Sequence, residues 1–116
     1  MKCIFLDSIA PEMKALLLSQ KPRDLDLLFW DELDPDKKYE KLAVADALMT
    51  ATYKVDDALL SQAPHVKIVQ KVGVGTDNID PAAAAKYGIE VGNVPGGNAN
   101  GVAELTIGLV LDLYHK

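Results

Sequence analysis

Val66-Lys-Ile-Val-Gln-Lys-Val72, Gly73-Val-Gly-Thr-Asp-Asn-Ile-Asp80, Pro81-Ala-Ala-Ala-Ala-Lys-Tyr-Gly88 and Ile89-Glu-Val-Gly-Asn-Val94 follow one another without a gap, and their order decides the fold. The outer two pieces are short apolar-rich runs of strand type. Between them Asp80 is a good N-cap, Pro81 takes the favoured first helical position, four alanines continue the helix and Gly88 closes it. A strand, a helix of about two turns and a second strand form one parallel crossover unit.

The same alternation extends back to the N-terminus. Cys3 to Leu6 is a continuous apolar run that suits a strand covered on both faces, ending at Asp7-Ser8. Pro11 opens a helix to Gln20, with Met13, Leu16, Leu17 and Gln20 along one face, and Lys21-Pro22 stops it. Leu25 to Trp30 reads as a second strand, Asp31 to Lys41 as a loop and short exposed helix, and Ala45 to Thr50 as a third strand. Lys54 to Ala63 reads as a helix with Val55, Leu59 and Ala63 on one face, stopped by Pro64. Right-handed crossovers then give an α/β domain with a five-stranded parallel sheet and helices on both faces, of the flavodoxin-like kind. Ligands of such sheets bind beyond the carboxyl ends of the strands, so Asp7, Trp30, Thr50, the Gly73 loop and 93–98 are the places to search. All eight glycines lie between Gly73 and Gly108, which puts the close backbone approaches in the second half.

Composition narrows the function. The 116 residues are 49% hydrophobic and 25% charged, enough for one core. A net charge of -5 disfavours nucleic acid and anionic membranes as partners. Cys3 is the single cysteine, so no internal disulfide and no cysteine zinc site is expected, and a cytoplasmic setting is the default reading. No export signal or membrane span is read in the chain.

From Val102 to Tyr114 the charges are Glu104 and Asp112 alone, and apolar side chains point all round the helical wheel. Such a helix needs cover on every side. The domain itself is expected to cover one side, and a second domain or subunit the other; the competing reading is a helix sunk in a groove of its own domain.

Lys71-Val-Gly-Val-Gly-Thr-Asp-Asn-Ile-Asp80 invites a dinucleotide reading, but Asn78 stands where the third glycine is required and the helix starts too late. Two readings of this loop remain: a nest of outward backbone N–H groups able to hold a carboxylate, or a plain turn with Asp77 and Asp80 as turn and cap residues. Asn93-Val-Pro-Gly-Gly-Asn-Ala-Asn100 reads as a linker with a hinge at Pro95, Gly96 and Gly97, and Asn100 as the cap of the apolar helix. A phospho-acceptor receiver fails because Met49-Thr50 offers no aspartate and Asp7 stands alone where paired acids would hold Mg²⁺. An FMN flavodoxin fails because Asp7 to Pro11 is not a phosphate loop. No metal site is expected.

The stretch Lys67-Ile-Val-Gln-Lys-Val-Gly-Val-Gly-Thr-Asp-Asn-Ile-Asp80, then Ala82 to Ala85, Gly88-Ile-Glu-Val-Gly-Asn-Val-Pro95 and Val102-Ala-Glu-Leu-Thr106, resembles the D-isomer-specific 2-hydroxyacid dehydrogenases. It is most similar to the phosphoglycerate dehydrogenase members. The resemblance implies residues 1–98 as the substrate-binding lobe and 99–116 as a hinge helix leading to an absent nucleotide-binding domain. It implies NAD as cofactor, bound mainly by that domain, and a small 2-hydroxy or 2-oxo acid as substrate. It further implies Val74 and Gly75 as backbone donors to the substrate carboxylate, Lys71 as a basic residue near its anionic end, Asn98 lining the cleft, and Val74 near the nicotinamide. Thr50 stands where phosphoglycerate dehydrogenases commonly carry arginine, which argues against a phosphorylated substrate. His65 and His115 do not match the family histidine, so no catalytic residue is expected here and the chain alone is expected to be inactive. The alternative is a free-standing, non-catalytic module that binds a small carboxylate and self-associates.

Overall fold

The computed structural model describes residues 1–115. Five parallel strands form one sheet in the order β2-β1-β3-β4-β5, where β1 is Lys2–Phe5, β2 Asp26–Phe29, β3 Ala47–Thr50, β4 Ile68–Lys71 and β5 Glu90–Gly92. This order is that of flavodoxin-like sheets, with the topological switch between β1 and β3. The register pairs Ile4 with Leu28 and Leu48, and Val69 with Leu48 and Val91.

Alternation along the strands divides the core. Ile4, Leu6, Leu48 and Val69 face one side, where they pack with Leu42, Leu59, Leu60, Ala83 and Ala84. Those come from α2 (Lys38–Ala43), α3 (Asp57–Leu60) and α4 (Pro81–Lys86) and the segments around them. Cys3, Phe5, Leu27, Phe29 and Ala47 face the other side, together with half-buried Leu17 of α1 (Pro11–Gln20). Fully burying a Leu or Ile of this kind stabilises by roughly 1.5–3 kcal/mol, so the first cluster dominates.

Four local expectations change. The helix at Pro11–Gln20 forms with those bounds, yet Met13 and Leu16 are 48% and 51% exposed. Its sheet side is instead Leu17 with Lys14, whose ammonium reaches Asp31 at 2.8 Å and Glu32 at 2.9 Å and lies over the Phe29 ring. The expected helix over Lys54 to Ala63 contracts to Asp57–Leu60, capped by the Asp56 side chain at Leu59 N–H. Val55 leaves the helix to form a parallel bridge with Ile79, its N–H donating to Asn78 O at 2.9 Å. The N-cap of the last helix, α5 (Ala99–Tyr114), is Asn98 rather than Asn100.

The fourth change is the largest. Every described residue of α5 is exposed, so the domain covers neither side of it. Neither the half-covered helix nor the helix in its own groove is found. Sixteen residues extend about 24 Å at 1.5 Å per residue, and the chain measures 56 × 33 × 25 Å with a radius of gyration of 17.0 Å. A compact chain of this length has about 13 Å. Lys116, the last residue of the expected hinge helix, lies outside the described residues. No helix among the described residues is long and apolar enough to cross a membrane.

Candidate functional site

The carboxyl ends of β1, β3 and β4 meet above the switch point, and buried polar groups meet there too. Asp7 is 8% exposed. Its carboxylate accepts from the N–H groups of Ala51 (2.6 Å), Thr52 (2.7 Å) and Tyr53 (2.9 Å), and from the Thr52 and Thr50 hydroxyls at 2.7 and 3.2 Å. Desolvation pushes its pKa up, but the Thr52 hydroxyl and the three backbone donors outweigh it and hold the carboxyl below the usual aspartate value. The turn 50–53 is thereby fastened to β1. A buried carboxylate is stable only with such a donor set; the sequence reading placed Asp7 at a strand end without assigning it this task.

From the opposite side Lys71, at the end of β4, closes the arrangement. Its ammonium donates to the Ala51 carbonyl and to Asn78 Oδ1, the latter at 2.7 Å. The Asn78 amide donates in turn to Tyr53 O at 2.7 Å and Thr50 Oγ1 at 3.1 Å. Lys71 is therefore buried and turned inward rather than reaching into the cleft, and Thr50, fully buried, does not line the cleft either.

Beyond Lys71 the chain forms the glycine loop. Gly73 has φ +150°, and a Cβ there would stand 3.4 Å from Lys71 Cε, so the lysine stem runs against this glycine. Gly73 O accepts from Val94 N–H at 2.8 Å, and Val74 O from Asn93 Nδ2 at 2.9 Å, which aligns the loop with the segment after β5. Among the described residues no acceptor meets the N–H of Gly73, Val74 or Gly75. Val94 to Gly97 is a β-turn of type II, with Pro95 second, Gly96 third at φ +72° and Gly97 N–H donating to Val94 O at 3.3 Å. The expected hinge at Pro95, Gly96 and Gly97 is thus a defined turn.

These two segments enclose a shallow depression of about 300 Å³ lined by Val72, Gly73, Val74, Val94, Gly97 and Asn98. It brings Val74 and Asn98 together; the Asn98 side chain makes no cap bond to α5. Gly75 lies just outside, where a Cβ would meet Asp77 Oδ1 at 3.2 Å. His65 and His115 are exposed, and neither lines the depression. Among the described residues no group of three His, Cys, Asp or Glu could hold a metal ion.

A dinucleotide pyrophosphate does not fit between the glycine loop and α4. The amides at the start of α4 are already taken, Ala82 and Ala83 N–H donating to Asp80 Oδ1 at 2.9 and 3.1 Å, and that carboxylate repels an incoming phosphate. The glycine loop lacks the third glycine.

Residues 3–108 match the family model of the D-isomer specific 2-hydroxyacid dehydrogenase, catalytic domain. The chain belongs to that family. It is 41% identical over 102 residues to a glyoxylate reductase of Aeropyrum pernix, covering 84% of this chain and 30% of that protein. It is 36% identical over 109 residues to a D-3-phosphoglycerate dehydrogenase of Mycobacterium bovis, covering 93% of this chain and 20% of that protein. The NAD+-bound 3-phosphoglycerate dehydrogenase of Entamoeba histolytica superposes with a TM-score of 0.75 at 29% identity, over 95% of this chain and 38% of that one. The chain thus spans a fifth to about two-fifths of the length of these family members.

Proposed function

We propose that this chain is the substrate-binding lobe, residues 1–98 with the helix 99–116, of an NAD-dependent oxidoreductase acting on the CH–OH group of a small 2-hydroxy acid. The observation that carries the reading is the run Gly73, Val74 and Gly75 just beyond the carboxyl end of β4, half-buried at Gly73 and exposed at Val74 and Gly75, whose N–H groups meet no acceptor among the described residues. Successive backbone donors of this kind hold a carboxylate. In this reading Val74 and Gly75 orient the acid, Asn98 offers its side-chain amide from the other wall, and Lys71 adds positive potential from beneath. The family resemblance puts Val74 near the nicotinamide end, and NAD, held mainly by residues outside this chain, would supply the hydride chemistry. The turn at Pro95, Gly96 and Gly97 is the pivot against a nucleotide-binding domain.

Catalysis needs an arginine for the 2-oxo group and a histidine with a carboxylate partner. Arg23, the single arginine, follows α1, and neither it nor either histidine lines the depression. The isolated chain is therefore expected to oxidise no NADH with any 2-oxo acid, and measurable turnover by it would overturn the division of labour proposed here.

The test of the site is a titration of the ¹⁵N-labelled chain with glycolate. Val74, Gly75 and the Asn98 side-chain amide shift and saturate, while sodium chloride at equal ionic strength leaves them unmoved. Asp77→Asn removes a carboxylate beside Gly75 and tightens glycolate severalfold, because like charges about 4 Å apart repel by about 1 kcal/mol in water. No shift at Val74 and Gly75 up to high millimolar glycolate rules the cradle out. The rival reading, a carboxylate-binding module without chemistry, draws on the uncovered α5, which would pair with its own copy.

A further inference from the structure

The peptide unit between Ala51 and Thr52 lies between two buried charges: its carbonyl accepts from Lys71 Nζ and its N–H donates to Asp7 Oδ1 at 2.7 Å. Aligned in this way the unit links cation to anion, and each hydrogen bond polarises the next. Asn78 makes the same crossing one step further out. It accepts from Lys71 and donates to Thr50 and Tyr53, while Thr50 and Tyr53 are themselves bonded to Asp7. Asn78 belongs to the glycine loop, so its side chain fastens the loop to the turn 50–53, alongside the backbone bridge from Ile79 to Val55.

We propose that Asn78 is a positioning residue of the cleft, which fixes the shape of the Gly73–Gly75 loop and the direction of the Lys71 charge through its ties to Lys71, Thr50 and Tyr53. The inference rests on the carboxylate reading above and adds to it a residue that itself lies outside the depression. An amide is required for a chemical reason. Lys71 finds an acceptor in Asn78 Oδ1, while the amide nitrogen donates to Thr50 Oγ1 and adds a second donor to Tyr53 O beside the Thr50 hydroxyl at 2.9 Å; among side chains of this length asparagine alone both accepts and donates in this way. A carboxylate in its place keeps the bond to Lys71, cancels the charge that Lys71 offers the cleft and sets an acceptor oxygen against Tyr53 O and Thr50 Oγ1 where the amide donated.

The experiment uses the ¹⁵N-labelled chain in four forms: wild type, Asn78→Asp, Thr50→Val and Thr50→Ser. Backbone order parameters of residues 73–76 are measured without ligand, then glycolate affinity is read from the Val74 and Gly75 amides. Asn78→Asp and Thr50→Val are expected to lower the loop's order parameters from the rigid range near 0.85 towards 0.6 and to weaken glycolate about tenfold, the effect of losing a hydrogen bond in a charged network. Thr50→Ser, which keeps the hydroxyl, restores both; a merely space-filling role predicts no such rescue. Should Asn78→Asp fail to fold, the Val and Ser pair at position 50 reports on the same tie. Loop order unchanged in Asn78→Asp and Thr50→Val overturns the proposal. Absence of any glycolate response in wild type instead overturns the carboxylate reading, and the order parameters then decide the positioning role separately.

Discussion

At Asp7 five donors converge on one carboxylate, and two separate strand ends are joined through it. The consequence is a pH dependence with a definite sign. The folded-state pKa lies below the unfolded value of about 3.9. The stabilisation is therefore complete above that unfolded value and is lost as the pH falls through the lower, folded one. Asp7→Asn turns an acceptor towards three N–H groups with half its capacity gone and is expected to cost about 3 kcal/mol at pH 7. Urea unfolding at a series of pH values checks this: the gap between wild type and variant is constant from neutrality to about pH 5 and narrows below about pH 4. A gap that persists undiminished at pH 2 contradicts the assignment. Lys71, a basic residue at the end of β4, likewise points inward, where Ala51 O and Asn78 Oδ1 hold its ammonium.

Among the elements, α4 shows how much a short segment can specify. Asp80 accepts from Ala82 and Ala83 N–H, Pro81 opens the helix, and Gly88 at φ +65° ends it in a Schellman motif, Ile89 N–H donating to Ala84 O at 2.9 Å and Gly88 N–H to Ala85 O at 3.1 Å. Six residues make a helix with almost no intrinsic stability, so its ends and the burial of Ala83 and Ala84 hold it. Asp80→Ala is expected to destabilise the chain by about 1 kcal/mol, and because Asp80 adjoins Ile79, whose bridge to Val55 closes the glycine loop, amide exchange at 76–80 quickens with it. Thermal unfolding and exchange rates read both effects. α1 and α3 show the reverse: one faces the sheet with Leu17 and Lys14 while Met13 and Leu16 stay exposed, and the other begins only after Val55 has bridged to Ile79.

For the whole molecule the decisive feature is α5, a 16-residue helix projecting from the domain with Leu105, Ile107, Leu109 and Leu113 each more than half exposed. An apolar surface of this extent marks an interaction site or an aggregation hazard. The wild-type chain is expected to bind a hydrophobic dye and to sediment as more than a monomer, and Leu105→Glu with Leu109→Lys is expected to remove most of both. A discrete dimer abolished by the pair supports the self-associating module, whereas open-ended aggregation supports a lobe separated from the surface it normally covers. Dye binding unaltered by the substitutions would mean that α5 is not the exposed surface responsible.

Strand–helix alternation, the caps at Asp80 and Gly88, the all-apolar character of 102–114 and the glycine loop were legible along the chain, because each is a local property set by side chains within a few residues of one another. The family resemblance, carried by 67–106, rested on the same contiguous stretches. What only the tertiary structure decided is which groups 20 to 46 residues apart meet: Asp7 with the turn 50–53, Lys71 with Ala51, and Asn78 with Thr50 and Tyr53. Periodicity and capping carry no information on such pairs, since a buried ammonium or carboxylate is matched by whatever donors and acceptors the sheet order brings beside it. The same holds for α5, whose composition demanded cover on every side while only the path of the chain away from the sheet determined that its own domain provides none.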